Sequence, residues 1–401
     1  MMSPVLPFDI IALIIDIVAE NEDTNLLKEL ALVSHSFLQI CSKHLFATVE
    51  LYDADPNYPV ASSKKGFVKL LKSRPEVVKY IRKLKYYVGH NINNDDHLLS
   101  PILLNFLPTI SRLNYLTITT LCTPQLDWKT LESSLTSAFL HLMHLPTINH
   151  IDLSYFQKFP LSSLSQSVNL HRLDIFHMTY LYPHEEDDSS EIVVEMMMPK
   201  IRDFRTSSSP LLTTKLLQAK TQDGQSAFNL MDLRQLSISF NEFDDERNIR
   251  YLLQNAMLLE IFHLSVFRAR SLVGILSLIP RTLKVLDLTV ALHYRESASL
   301  GGLFEELEAL AGHNMLEALS FAFQVDDDET VDSIGSIMQE VEKVLVEPGW
   351  STLRQVSFKI PIGPWGNSVE LCEALQSLPD KYLSHLSKLE SIAFDYSAYL
   401  I

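Results

Sequence analysis

The sequence predicts an α/β protein in two parts: a small three-helix unit at the N-terminus, then an irregular solenoid of β/α units built on a parallel sheet. Three observations carry this. Apolar residues recur at helical spacing over the first 45 positions. A Leu-x-x-Leu-x-Leu-like pattern then returns from Ile81 to the end of the chain. Nearly all of these units have a polar residue at the fifth position. With 401 residues and 47% hydrophobic content, the chain has material for such an array and none of the composition of a disordered one.

In the first unit, Ile10, Ile14, Ile17 and Val18 share one face of a helical wheel, the signature of an amphipathic helix. Pro7 stands just before it, where its fixed φ suits a helix start. Glu20-Asn21-Glu22-Asp23 ends the segment, and Thr24 or Asn25 is placed to cap a second helix carrying Leu26, Leu27, Leu30 and Ala31. Ser34 is placed to cap a third, with Phe37, Ile40, Cys41 and Leu45 at helical spacing. A unit this small lies near the size below which a core is marginal. Its apolar faces need a partner, or the rest of the chain, to cover them.

The repeat is read first at Ile81/Leu84/Tyr86, then at Leu113/Leu116/Ile118, Ile148/Ile151/Leu153 and Leu170/Leu173/Ile175, and last at Leu389/Ile392/Phe394. The starts lie about 22 to 37 residues apart, a loose version of the leucine-rich repeat. Helical segments fall between the strands: Leu303 to Leu310 stopping at Gly312, Val331 to Val346, and Val369 to Leu378 after a capping Ser368. Leu107-Pro108, Leu145-Pro146 and Ile279-Pro280 mark a recurring joint at which proline ends a helix and sets an extended chain. A helical solenoid of HEAT type fits less well, because the strand segments are short, alternate with period two and are bounded by turn residues.

Strand alternation sends the fourth and sixth positions inward and the third, fifth and seventh onto the concave face. The fifth positions, among them Lys85, Asp152, Asp174, Arg205, His263 and Asp287, are polar except for Ala393 in the last unit. Asp152, Arg172, Asp174 and Arg205 are therefore the candidate binding residues of that concave face. Asp174, facing outward, is expected to tolerate alanine where Leu173 does not tolerate aspartate. Only Asn241 stands where leucine-rich repeats usually place an asparagine after the strand, which makes the array irregular.

The run Leu6-Pro7-Phe8-Asp9-Ile10, then Leu26 to Leu30, Leu32-Val33-Ser34-His35-Ser36-Phe37 and His44-Leu45-Phe46 resembles the F-box, in the His-Leu-Phe form common among fungal F-box proteins. The resemblance covers residues 6–46. It departs at Ser34, where cysteine is common, and at Phe37, where tryptophan is common; both keep size or hydrophobicity. It implies an adaptor that docks on a Skp-family linker, and through it a cullin, with Leu6, Pro7, Ile10, Ile14, Leu30, Val33 and Phe37 as contacts. The division is then residues 1–51 as F-box, 52–77 as a connecting helical segment and 78–401 as a leucine-rich-repeat-like solenoid that holds a protein substrate. The alternative is a leucine-rich-repeat interaction scaffold with no ligase, its helical unit serving only as a cap.

Other classes are disfavoured. A net charge of −16, from 33 basic and 49 acidic residues, works against broad nucleic-acid binding and leaves room for a basic partner. The basic stretch from Lys64 to Lys85 reads as a solvated face. Cys41, Cys122 and Cys372 are too few and too scattered for a disulfide framework and imply a reducing compartment. The acidic runs at Glu185–Asp188 and Asp326–Glu329 lack the glycine and later ligand of a calcium loop, and no Cys/His spacing suits zinc. No nucleophile, phosphate-loop or dinucleotide motif occurs, so the expectation is a non-enzyme with no cofactor, metal or catalytic residue. Asp9 and Asp16 interrupt the apolar N-terminus, which lacks a basic region before it, so no signal peptide or membrane span is expected. The expected location is cytoplasm, nucleus or both.

Overall fold

The computed structural model describes residues 7–21, 23–52, 63–89, 104–120, 125–178, 193–194, 199–240, 243–266, 272–292, 302–312, 315–325, 331–363 and 369–400. Its contacts divide the chain into two compact units, one of Met1–Pro199 with Thr221–Asp223, the other of Lys200–Lys220 with Gly224–Ile401.

The first unit opens with helices α1 (Phe8–Glu20), α2 (Thr24–Ala31) and α3 (His35–Leu45). Pro7 precedes α1, as its fixed φ predicts, and its carbonyl accepts from the amides of Ile10 and Ile11. Ser34 caps α3 by accepting from the Phe37 amide at 3.3 Å. The α2 cap differs from expectation: Asp23 accepts from the Leu26 amide at 2.9 Å, and Thr24 is the first helical residue. The three helices close on Ile15, Leu27, Ala31, Ile40 and Cys41, all buried.

Strands β1 (Thr48–Tyr52), β2 (Lys83–Val88), β3 (Tyr115–Thr120), β4 (His150–Ser154) and β5 (Arg172–Phe176) then pair in chain order, every pair parallel. Parallel neighbours cannot be joined by a hairpin, and the crossovers hold α4 (Ser63–Ser73) and α5 (Ser133–Met143). Both helices lie over the inward face. Lys64 of α4 sits 4.4 Å above the ring of buried Tyr86, and Phe139 of α5 meets the same ring edge-on at 4.9 Å. The sheet starts one strand earlier than the sequence reading, which begins it at Ile81: Val49 and Leu51 of β1 are buried opposite Leu84 and Tyr86.

The second unit holds β6 (Asp203–Ser207), α6 (Pro210–Gln218), β7 (Gln235–Phe240), α7 (Phe243–Asn255), β8 (Ile261–Val266), β9 (Val285–Leu292), α8 (Leu303–Leu310), β10 (Ala318–Val325), α9 (Val331–Val346), β11 (Gln355–Ile362), α10 (Val369–Gln376), α11 (Leu378–Tyr382) and β12 (Ala393–Leu400). Its seven strands are again parallel in chain order. Phe204, Leu236, Phe262, Leu286, Leu319 and Val356 align across the strands as one buried row. Gly312 follows α8 with φ +79°, the left-handed stop expected of it. Gly335 is needed for space, since a Cβ there would meet the Tyr382 ring at 2.5 Å.

The joint before seven of the strands is a tight turn. The amide of the first anchor donates to the carbonyl three residues back at Ile81, Ile148, Leu170, Leu233, Leu259, Leu283 and Leu353, over 2.9–3.3 Å. Proline is one way of entering this turn, as at Pro280, whose carbonyl accepts from Leu283. Two buried glutamates bind neighbouring turns. Glu306 of α8 accepts from the amides of Gly274 and Ser277, and Glu342 of α9 from those of His385 and Leu386.

The last unit is read two residues early. Phe394 pairs with Val356 and Tyr396 with Phe358, so the outward fifth position is Asp395 rather than Ala393, and the one exception to a polar fifth position disappears.

Candidate functional site

Two surfaces stand out. The first lies on the helical unit. Ile11, Ala12, Ile15, Val18 and Ala19 face the three-helix core, while Phe8, Ile10, Leu13, Ile14 and Ile17 are exposed along the other side of α1. The α1 helix is therefore apolar on two faces, and the chain covers one. Val18 belongs to the covered face, not with Ile10, Ile14 and Ile17 as the wheel suggests. On α2 Leu26 is also exposed, and between α2 and α3 Leu32 and Val33 are 86% and 64% exposed, high values for such side chains. Contiguous exposed apolar residues mark interaction surfaces more often than stray leucines do.

Of the linker contacts expected from the sequence, Pro7, Ile10, Ile14 and Val33 are exposed. Leu30 and Phe37 are half-buried against the unit's own core. Leu6 lies outside the described residues. The sequence reading missed Phe8, Leu13, Leu26 and Leu32 as surface residues; the signal available was an α1 apolar all the way round. Asp16 fastens α1 to α3, meeting Lys43 at 2.8 Å and His44 at 2.7 Å. The hydrogen bond from Lys43, followed by that from His44, holds the Asp16 carboxyl below its ordinary range.

The second surface is the outward face of the β1–β5 sheet. Parallel register sets its side chains in a grid. Thr48, Lys83, Tyr115, His150 and Arg172 form one row; Glu50, Lys85, Thr117, Asp152 and Asp174 form the next; Tyr52, Tyr87, Thr119, Ser154 and Phe176 form the third. Lys85 meets Glu50 at 2.7 Å, Tyr52 stacks on Tyr87, and Tyr115 stacks on His150 with ring centroids 4.1 Å apart.

Asp174 is outward by register yet only 4% exposed, so the expectation that it stands free on the surface is corrected. His150 Nε2 lies 3.0 Å from its Oδ2, and Arg172 donates to both oxygens over 2.9–3.2 Å. Burial alone would raise the Asp174 carboxyl, but the bonds to His150 and Arg172 outweigh it and hold it below its ordinary value. Asp152 goes the other way. Burial, then the neighbouring Asp174 charge, pushes it up against the weaker opposing effects of the Ser154 bond, nearby His150 and the Thr117 bond.

Asp152, Arg172 and Asp174 are thus brought together on adjacent strands, and Tyr115 and His150 complete the group; both were missed because the sequence reading weighed fifth positions above third ones. Arg205 belongs to the second unit, where it contacts Asp203 at 3.4 Å. On that unit's outward face the fifth positions run Arg205, Ser237, His263, Asp287, Ser320, Ser357 and Asp395. His263 Nδ1 meets Asp287 at 2.5 Å, and Ser357 donates to Ser320 at 2.9 Å.

Among the described residues no group of His, Cys, Asp and Glu could hold a metal ion, and no helix is long and apolar enough to cross a membrane. Asn241, Cys122 and the two acidic runs lie outside the described residues. In the basic stretch Lys85 and Arg74 are paired with acids, while Lys69, Lys72, Lys79 and Lys83 are exposed.

No family model matches the chain, and no curated protein matches it at a significant level. Among solved structures, the crystal structure of a protein from Bacteroides fragilis aligns with 87% of this chain and 73% of its own at 11% identity, with a TM-score of 0.33, too low to carry an argument about fold or function.

Proposed function

We propose that this chain is the substrate-recognition adaptor of an SCF-type cullin-RING ubiquitin ligase. Residues 1–51 act as an F-box that docks on a Skp-family linker and so reaches a cullin, while the leucine-rich-repeat-like solenoid holds a protein substrate. The observation that carries the reading is the second apolar face of α1, with Leu32 and Val33 exposed in the same helical unit. An amphipathic helical unit with an open apolar stripe suits a hydrophobic groove, and the sequence pattern of residues 6–46 is that of a family that uses one. Transfer chemistry then belongs to other subunits, which accords with assigning no catalytic residue here, and the working compartment is cytoplasm or nucleus.

The test is affinity for a purified Skp-family linker, measured by calorimetry on the full chain. Ile10→Asp combined with Ile14→Asp changes two exposed residues and leaves buried Ile15 alone, so the variant folds. Loss of one hot-spot residue costs about 2 kcal/mol, about thirtyfold in affinity, and the pair should reduce binding at least that much. A wild-type chain with no affinity for the linker, or a double variant that binds unchanged, removes the adaptor reading and leaves a repeat scaffold without a ligase.

A further inference from the structure

Nine side chains on β3, β4 and β5 form a three-by-three patch on the outward face of the first unit. Its rows are Tyr115, His150 and Arg172; Thr117, Asp152 and Asp174; Thr119, Ser154 and Phe176. Asp152 is at the centre. The two basic side chains of the patch, His150 and Arg172, both bind Asp174. Lys85, one strand further out, binds Glu50. Among the described residues no basic side chain forms an ion pair with Asp152. Among the described residues its carboxylate accepts from Thr117 at 3.5 Å and Ser154 at 3.1 Å alone. An ionised carboxylate offers about four acceptor sites, so its capacity is half used, in a half-buried setting that raises the cost of the charge.

We infer that this patch recognises a basic side chain, arginine or lysine, of a protein segment, with Asp152 as its ion-pair partner and the stacked Tyr115–His150 pair as the wall along its stem. The inference deepens the adaptor reading, since it rests on this face holding the substrate. The Tyr115 ring is independent of the carboxylate and points to the same ligand: a tyrosine ring attracts a cation and packs against its apolar stem, with His150 stacked beside it. Arginine, planar and able to engage both carboxylate oxygens, fits better than lysine. The net charge of −16 further favours encounter with a basic segment. A protein keeps a carboxylate at such a position against its own stability when an outside cation relieves the cost.

The experiment selects random 12-residue phage-displayed peptides on the immobilised full chain. Bound clones should be enriched severalfold in arginine or lysine over the starting library. Asp152→Asn, nearly identical in shape, should lose that enrichment, while Ser357→Ala in the second unit keeps it. On wild-type protein, arginine amide should displace a selected peptide where glycine amide does not, a readout that depends on no variant folding. The inference is overturned if no peptide is selected, if the selected clones are acidic or show no basic enrichment, or if the enrichment survives in Asp152→Asn. Linker affinity measured on the same preparation separates the two readings. Basic enrichment without linker binding sinks the adaptor and leaves this site standing; linker binding without basic enrichment does the reverse.

Discussion

The outward faces of the strands in the two units are built on one register rule and carry different chemistry. In the first unit the face holds long and aromatic side chains, Tyr52, Tyr87, Lys85, Tyr115, His150 and Arg172, which bind or stack on one another. In the second, the seventh row is mostly small, with Ser239, Ser265, Thr289 and Ala322, while the fifth mixes Ser237, Ser320 and Ser357 with Arg205, His263, Asp287 and Asp395. Alternation decides which residues leave the core, and it does so equally in both units. What those residues do is decided by their size and by their neighbours on adjacent strands. The first face is a linked polar layer whose members fix each other, with one carboxylate left over. The second sets serine hydroxyls among separate polar pairs, Arg205 with Asp203 and His263 with Asp287.

The largest effect tests what the two units share. Leu173→Asp and Leu286→Asp each place a charge at a buried anchor, and each should cost at least about 4 kcal/mol and unfold its own unit. If circular-dichroism melts show one of the two tolerated, the common inward row is wrong for that unit.

A middle-sized effect should separate the faces. Asp174→Ala strips His150 and Arg172 of their shared acceptor and should cost about 2 kcal/mol. Ser357→Ala removes one hydroxyl bond and should cost under about 1 kcal/mol. The Asp174 contribution has a defined pH sense. Its folded pKa is below the ordinary 3.8, so its stabilisation is present above 3.8 and is lost as pH falls through the lowered folded value. The gap between wild type and Asp174→Asn in denaturant midpoint should therefore close in strong acid; a gap constant with pH would mean that the ion pairs contribute nothing.

The smallest effect has the opposite sign. Asp152 has its folded pKa raised above 3.8, so its charged form costs stability once pH rises through that folded value. Asp152→Asn should melt at or slightly above wild type at neutral pH, by less than about 1 kcal/mol, and this advantage should vanish below 3.8. A clear loss of stability at pH 7 would place Asp152 with Asp174 as a structural residue.

Much of this architecture is legible in sequence, and the misses have physical causes. The anchors from Leu84 to Val356 align across the strands as read because leucine-like residues at the first, fourth and sixth positions meet one core. The last unit slipped because a shift of two residues preserves strand parity, so Leu389/Ile392/Phe394 satisfies the same pattern as the true pair Phe394 and Tyr396. Only pairing with β11 selects between them. Strand β1 escaped because Val49 and Leu51 give two inward positions directly after a helix, too little period to notice. Asp23, Thr24 and Asn25 are all competent caps, so composition could not choose among them. The burial of Asp174 depends on His150, 24 residues away in sequence, and no local pattern carries that. On the helical unit, a wheel apolar on all sides does not say which side the chain itself will cover.

The glutamates that grip neighbouring turns have a dynamic consequence. The amides of Gly274 and Ser277 are held by a carboxylate of α8, and those of His385 and Leu386 by one of α9. Hydrogen exchange at these four sites then reports not on their own turn but on a helix 29 to 44 residues away. A layer cannot loosen without freeing a buried charge in the next, which links local openings that a simple stack would allow one at a time. The second unit should accordingly exchange as a single cooperative block, with Glu306→Gln and Glu342→Gln as the two changes that let its layers breathe separately.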